Sequence, residues 1–404
     1  MSNMSNFLSN FLSNFLSHRV QSIEASATLA ISNKAMQLKK SGKAIISLSA
    51  GEPDFKIAPH IADAMVAAIH SGQTKYTEVN GTAALREAVC HKFWIDNQLE
   101  YTPDQILISV GAKQSFYNFF QACLNPGDEV IILAPYWVSY PDMVKLAGAT
   151  PIIVTPPAGS LKVSAAQIEA AMTNKTKVLI LNSPSNPTGE VLSQDELLEI
   201  IKILERHPNV WVASDDIYEK ILWPDHKFLN ILNLAPQLSD RVLVINGVSK
   251  SYAMTGLRIG YAAGPSEVIK AMGKIQGQST SNPCSIAQAG AVAALMGPQD
   301  QIPMMVKAYK ERHDFLMGAL NKIRGLSFKG SAGAFYAFVN INEALKSLNF
   351  SGDIKFCDWL LDKAEIAAVP GTAFGAPGFI RISYATDLKT LEQACERLYQ
   401  VLAA

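Results

Sequence analysis

At 404 residues the chain is long enough for two or three domains. Hydrophobic residues make up 49% and charged residues 17%, the balance of a globular enzyme with a large core and not of a disordered or fibrous chain. Lys+Arg and Asp+Glu both number 35, so the net charge is zero, and with no apolar run of spanning length neither nucleic acid nor a membrane is expected as partner.

In chain order, the first feature is a repeat: Ser5-Asn6-Phe7-Leu8 recurs as Ser9-Asn10-Phe11-Leu12 and Ser13-Asn14-Phe15-Leu16. A period of four lines the phenylalanines along one helix face. No Lys or Arg precedes Arg19, so the stretch lacks the basic residues of a targeting peptide, and residues 1–17 are expected to be a disordered extension. From Ile106 onward short apolar runs alternate with helix-like stretches. The predicted strands are Ile106–Val110, Val130–Leu133, Ile152–Val154, Val178–Leu181, Val210–Ala213, Val242–Ile245 and Ile259–Ala262. This alternation predicts an α/β fold built on a mainly parallel seven-stranded sheet. Ligands of such sheets collect beyond the carboxyl ends of the strands. Gly111-Ala112-Lys113, Pro135-Tyr136-Trp137, Asn182 to Gly189, Asp215 with Tyr218, and Ser249-Lys250 all fall there.

Three of these segments suggest chemistry. Gly111-Ala112-Lys113 opens the helical stretch Gln114–Leu124, and a helix N-terminus built from small residues offers free N–H groups to an anion. Ser214-Asp215-Asp216-Ile217-Tyr218 brings two carboxylates out of a strand, as fixed anions or as helix caps. Lys250 follows the run Val242–Ile245. A lysine at the edge of a buried sheet can lose its proton and attack a carbonyl to form a Schiff base, and Arg258 nearby can fork onto a phosphate. Aldehyde and phosphate on one small molecule point to pyridoxal 5'-phosphate. After about Gly297 a long helical stretch, strands around Ala334–Asn340 and Phe379–Tyr384 and a last helix read as a smaller α+β domain. Within it Arg381 stands alone in the apolar strand Gly378-Phe379-Ile380-Arg381-Ile382-Ser383, where it needs a carboxylate from a ligand or from the fold. Five cysteines (Cys90, Cys123, Cys284, Cys357, Cys395) without a CxxC suggest reduced thiols in the cytoplasm, and seven scattered histidines suggest no metal.

Ser249-Lys250 with Ala253-Met254-Thr255-Gly256-Leu257-Arg258-Ile259-Gly260 resembles the cofactor-lysine signature of class I aminotransferases, and the chain from about His18 onward resembles their bacterial aspartate-specific branch. The resemblance implies the pyridoxal phosphate transferase fold type I, with 18–60 and 298–404 forming the small domain around a large domain at 61–297. It implies that Lys250 holds the cofactor and shuttles the substrate's α-proton. Asp215 would pair with the ring nitrogen, with Tyr140 behind it, while Asp216 is structural. Tyr218 and Asn186, the latter in Asn182-Ser183-Pro184-Ser185-Asn186-Pro187-Thr188-Gly189, would bond the ring oxygen. Trp137 would stack on the ring. Gly111, Ala112, Lys113, Ser249 and Arg258 would cradle the phosphate, joined by Tyr76 from the other subunit of a homodimer with shared sites.

For substrate, the resemblance gives Arg381 the α-carboxylate and Gly51 a place in a segment that closes over the ligand. Trp137 and Asn186 complete the substrate's surroundings. Gly277-Gln278-Ser279-Thr280-Ser281-Asn282-Pro283 contains no arginine for a side-chain carboxylate, so Lys113 is the candidate, with Ser26, Thr28 and Ser279 in reserve. Relatives that act on prephenate carry a lysine near the N-terminal Ser-Ala-Thr, where this chain has Glu24. The expected reaction converts L-aspartate and 2-oxoglutarate to oxaloacetate and L-glutamate by a ping-pong route. An aminotransferase for aromatic amino acids, prephenate or kynurenine is the alternative. A lyase or synthase on this fold would be told apart by its products without an oxo-acid acceptor. A ligand-sensing transcription regulator would need a basic DNA-binding module that the neutral N-terminus does not offer.

Overall fold

The computed structural model describes residues 15–403; residues 1–14, which hold most of the Ser-Asn-Phe-Leu repeats, lie outside the described residues. A short strand, β1 (Ile46–Ser47), precedes the strands of the main sheet: β2 (Ile106–Val110), β3 (Glu129–Leu133), β4 (Thr150–Val154), β5 (Thr176–Asn182), β6 (Trp211–Asp215), β7 (Val242–Gly247) and β8 (Ile259–Ala263). Their order is β2-β8-β7-β6-β5-β3-β4. β8 runs antiparallel to both neighbours, and the other pairs are parallel.

Continuous apolar runs form these strands because both faces of the sheet are covered. The side-chain period of two sorts each run between two cores. Leu179 and Leu181 of β5 pack with Val212, Val242, Val244 and the helix Gln194–Arg206 on one side. Val178 and Ile180 pack with Ala213, Leu243, Ile245 and the aromatic helix Ala112–Cys123 on the other.

Most strands run one or two residues beyond the apolar runs that announced them, and two of the shifted boundaries bear on the site. β6 does not stop at Ala213. Ser214 and Asp215 continue the ladder, with Asp215 opposite Asn182 on one side and Ile245 on the other. A polar side chain does not end a central strand whose backbone groups are paired on both flanks. The helix after β2 begins at Ala112 and not at Gln114, because Gly111 takes φ +80 at the N-cap and turns the chain at once.

The remaining strands are β9 (Tyr336–Asn340), β10 (Ile366–Ala367), β11 (Val369–Pro370) and β12 (Phe379–Ser383). β11, β12 and β9 form an antiparallel sheet in that order, and β10 pairs with β1. A third core joins Ile46 and Leu48 to the helices Gln301–Leu320 and Leu388–Ala403 and to β9 and β12. Ile217, Tyr218, Ile221 and Trp223, which follow β6 in the chain, pack into this same core. The segment 332–334 is clamped between them and the loop after β5. Gly189 O accepts from Ala332 N and Gly333 N at 3.1 and 3.0 Å, and Ile221 O accepts from Ala334 N at 2.8 Å. Tyr218 therefore ties the carboxyl end of β6 to this core. Among the described residues no helix is long and apolar enough to cross a membrane.

Candidate active site

The carboxyl ends of β2, β5, β6 and β7 open into a cavity of about 650 Å³. Its walls hold Gly51, Ala112, Lys113, Trp137, Asn186, Asp215, Tyr218, Ser249, Lys250, Arg258 and Arg381 from the sequence-predicted set. Gly111 lies just behind Arg258. Tyr76 stands apart, 92% exposed on the surface of this chain and outside the cavity walls.

Strand β7 ends at Gly247 and delivers Lys250 into the cavity, where its Nζ donates to Gly51 O at 2.5 Å. The amine lies 5.8 Å from the Tyr218 ring and 6.0 Å from that of Phe335. Burial, then Arg381 and Arg258, bring its pKa down to about 8 against the opposing pull of Glu52 and Asp215. The neutral amine is thereby within reach of ordinary pH.

Asp215 ends β6 with its carboxylate buried. Tyr140 Oη donates to its Oδ2, and Ile217 N approaches Oδ1 at 3.4 Å. Its own carbonyl accepts from Asn182 Nδ2 at 3.0 Å. Burial raises its pKa to about 6, opposed by the Tyr140 and Ile217 bonds and by Lys250. Asp216 turns away from the cavity. Ser214 Oγ donates to Oδ1 at 2.7 Å and Asn230 Nδ2 to Oδ2 at 2.6 Å, so both carboxylate oxygens are occupied within the fold.

Arg381 is 2% exposed in the middle of β12. Nη1 donates to Asn186 Oδ1 at 2.8 Å and Nη2 to Ser49 O at 2.7 Å, while Nε is buried without a partner. The guanidinium lies between two rings, 4.4 Å from Tyr336 and 4.9 Å from Phe374. No carboxylate of the fold pairs with it among the described residues, which leaves the charge able to receive an acid from a ligand.

A second cation stands elsewhere in the cavity wall. Lys113 occupies the first turn of the helix Ala112–Cys123, with Nζ 5.0 Å from the Trp137 ring, and burial and Arg258 lower its pKa. Lys113 and Arg258 also face an adjoining chamber of about 460 Å³ whose walls include Glu24, Ser26, Tyr117 and Ser279. Thr28 Oγ1, in the main cavity, is buried without a partner.

The residues present fit pyridoxal phosphate at both ends. Lys250 supplies an amine for the aldehyde, and Asp215 a buried carboxylate for the ring nitrogen. The first-turn N–H groups of Ala112 and Lys113 have no intrahelical acceptor and can receive the phosphate. Arg258 is drawn tightly over that turn: a Cβ on Gly111 would fall 2.4 Å from its Nη2, and one on Gly260 would fall 2.1 Å from Ala112 N. Only glycine at both positions lets the arginine and the helix N-terminus approach this closely.

Sequence reasoning passed over Tyr336, Ser49, Phe335 and Phe374. Phe335-Tyr336-Ala337-Phe338 reads as an ordinary apolar strand, and nothing in it signals that one phenol reaches Tyr218, 118 residues earlier in the chain. The partner of Arg381 at Ser49 is a backbone carbonyl, which no side-chain pattern reveals.

The family model "Aminotransferase class I and II" matches residues 43–398. An aspartate/prephenate aminotransferase from Nitrosomonas europaea is 50% identical over 392 residues, covering 95% of this chain and 99% of its own. The crystal structure of the aspartate aminotransferase from Rhizobium meliloti superposes with a TM-score of 0.91 at 42% identity, covering 96% and 98% of the two chains. The aspartate aminotransferase of Thermus thermophilus with maleate superposes with a TM-score of 0.90 at 39% identity over 96% and 99%.

Proposed function

This chain belongs to the class I and II aminotransferases, a pyridoxal phosphate-dependent family, and from its cavity we propose that it transfers the amino group of L-aspartate to 2-oxoglutarate, yielding oxaloacetate and L-glutamate. The observation that carries the substrate class is that Arg381 and Lys113 stand in the wall of the cavity that holds Lys250, in addition to Arg258, which is assigned to the phosphate, and Lys39. Two cations suit two carboxylates. The Thermus thermophilus relative was solved with maleate, itself a dicarboxylate.

When bound, pyridoxal phosphate supplies an aldehyde that accepts the amino group and a ring that draws electrons from the α-carbon. Lys250 holds it, and Arg258, Ser249 and the N–H groups of Ala112 and Lys113 surround its phosphate. Asp215 keeps a proton on the ring nitrogen, because a buried carboxylate favours the charged partner beside it. Tyr140, donating to Asp215, fixes the carboxylate's orientation. Tyr218 and Asn186 donate to the ring oxygen, and Trp137 covers the ring. Arg381 takes the α-carboxylate with its remaining donors, including Nε. Once displaced by the substrate amine, Lys250 Nζ would remove the α-proton as general base and, as general acid, deliver it to the cofactor carbon that carried the aldehyde. The first oxo acid leaves before the second substrate enters. Gly51, whose carbonyl meets Lys250, lies in the segment that shuts out water.

The active form is read as a homodimer in the cytoplasm, with Tyr76 serving the partner's phosphate site. Its exposure on a single chain and five free cysteines support this. Residues 18–60 and 298–404 are read as the smaller domain, in keeping with the core that joins Ile46 and Leu48 to β9 and β12. Prephenate is the second reading, supported by the Nitrosomonas europaea relative and by the room of the adjoining chamber. Glu24 in that chamber opposes a further carboxylate.

The test is to incubate the purified, yellow holoenzyme with aspartate and 2-oxoglutarate and to map the site of borohydride reduction. Oxaloacetate limited to about one equivalent per site without the acceptor and formed catalytically with it, and a reduced adduct on Lys250, are expected. An adduct elsewhere ends the cofactor assignment, and turnover of aspartate with 2-oxoglutarate no faster than deamination of phenylalanine or amination of prephenate ends the substrate assignment.

A further inference from the structure

Tyr336 touches three parts of the site at once, and the reaction as derived above gives it no part. It opens β9 opposite Ser383 of β12, so its side chain shares a sheet face with that of Arg381, the diagonal neighbour across the strands. It is fully buried. Its ring supports the Arg381 guanidinium at 4.4 Å, and its hydroxyl lies 2.6 Å from that of Tyr218. Its Oη also stands 2.6 Å from where a Cβ on Gly51 would be, so the segment that covers the cavity rests on this phenol.

We propose that Tyr336 is a positioning residue: its hydroxyl donates to Tyr218 and turns the Tyr218 proton toward the cofactor's ring oxygen, while its ring holds Arg381 flat for the substrate carboxylate. The inference rests on the aminotransferase reading above, in which Tyr218 faces that oxygen.

A phenol carries one proton, so in a pair of phenols one donates and the other is left with its proton free. The neighbours decide which. Burial raises the Tyr336 pKa, and the Arg381 guanidinium, 4.4 Å from its ring, restrains that rise by favouring the ionised phenol. Tyr218 is raised well above the usual phenol range by burial and then by Tyr336 itself. Tyr336 is therefore the stronger acid and donates. A hydroxyl that accepts a hydrogen bond becomes a better donor, so this bond strengthens the one Tyr218 makes in the cavity. Phenylalanine at 336 would keep the ring under Arg381 and lose the donation. Leucine would lose both.

The readout is the pH titration of the holoenzyme's visible absorption, together with the affinity for maleate. Donors on the ring oxygen draw off the negative charge that stabilises a proton on the neighbouring nitrogen, so removing one raises the titration midpoint. Tyr336→Phe should move the midpoint up by roughly half to one pH unit, a three- to tenfold change in proton affinity. Tyr218→Phe should move it further, and the double variant no further than Tyr218→Phe alone, because the first effect runs through the second residue. Maleate affinity should hold in Tyr336→Phe and fall by roughly fivefold in Tyr336→Leu. Site-specific 3-fluorotyrosine at 336, a stronger acid that keeps the packing, should move the midpoint down. An unshifted midpoint in Tyr336→Phe, additive shifts in the double variant, or an upward shift with fluorotyrosine each overturns the proposal. A wild-type protein that forms no visible band on Lys250 defeats instead the reading on which it rests.

Discussion

Asp215 and Asp216 are consecutive and both buried, yet they serve opposite sides of the molecule. Asp215, the last residue of β6, faces the cavity with a single firm partner, the Tyr140 hydroxyl. Asp216 faces away, into a network closed by Ser214 and Asn230. Beyond it Glu219 and Lys92 form a buried ion pair, with Asn97 bonded to both: its Oδ1 accepts from Lys92 at 2.6 Å and its Nδ2 donates to Glu219 at 2.8 Å. Burial raises both aspartates, Asp215 to about 6 and Asp216 to about 7 with added repulsion from Glu219. Desolvation alone therefore does not mark the functional carboxylate. What separates them is unfinished hydrogen bonding: the cavity side keeps capacity for a ligand, and the back side has used its own on the fold.

The sharpest way to break this contrast is to remove each carboxylate in turn. Asp215→Ala should slow transamination by at least a hundredfold, because the ring nitrogen loses its fixed anion, with little change in unfolding. Asp216→Ala should leave most of kcat while lowering stability by about 1–3 kcal/mol for the donors it strands. Steady-state kinetics and denaturant unfolding of both variants decide it, and a larger kcat loss in Asp216→Ala would reverse the assignment. Further back, Lys92→Met leaves Glu219 as an uncompensated buried charge and should cost about 3–5 kcal/mol of stability. Its kcat per folded enzyme should stay near that of the wild type.

Lys250 should show the reverse behaviour, a cavity residue that costs stability. Its pKa in the folded protein, about 8, lies below the ordinary 10.5. Between these values the unfolded chain binds more protons than the folded one, so the cost is full below pH 8 and is relieved as pH rises toward 10.5. Cofactor-free Lys250→Met should thus be more stable than the cofactor-free wild type by about 3 kcal/mol at pH 7, the gain fading by pH 10.5. A gain that is the same at both pH values would show that the amine is not destabilised by its surroundings. The smallest effect concerns the two cavity cations. Arg381 is fixed by two hydrogen bonds and two rings, whereas Lys113 has the Trp137 ring and no ion pair among the described residues. Lys113→Ala should lose about 1.5–3 kcal/mol of transition-state binding for aspartate and glutamate and much less for phenylalanine, with cofactor occupancy measured in the same samples. Equal losses for both classes would leave distal recognition to groups such as Thr28 or Ser26.

Much of this was legible in the sequence, and the reason is local. A buried parallel sheet requires uninterrupted apolar runs, so Val178–Leu181 and Val242–Ile245 announced their strands, and rules for open α/β sheets placed Lys250, Asp215 and Gly111 at one edge. The solitary Arg381 in an apolar strand stood out because its desolvation had to be answered by something, and it lies in the cavity wall with no carboxylate partner among the described residues. The antiparallel direction of β8, the extension of β6 through Asp215 and the divergence of the two aspartates depended on partners far along the chain, which no local pattern encodes. Tyr336 is the clearest case. Its own strand reads as core, and its place in the site comes from Tyr218 and Arg381, 118 and 45 residues away, brought to it by the core that the chain after β6 shares with β9 and β12.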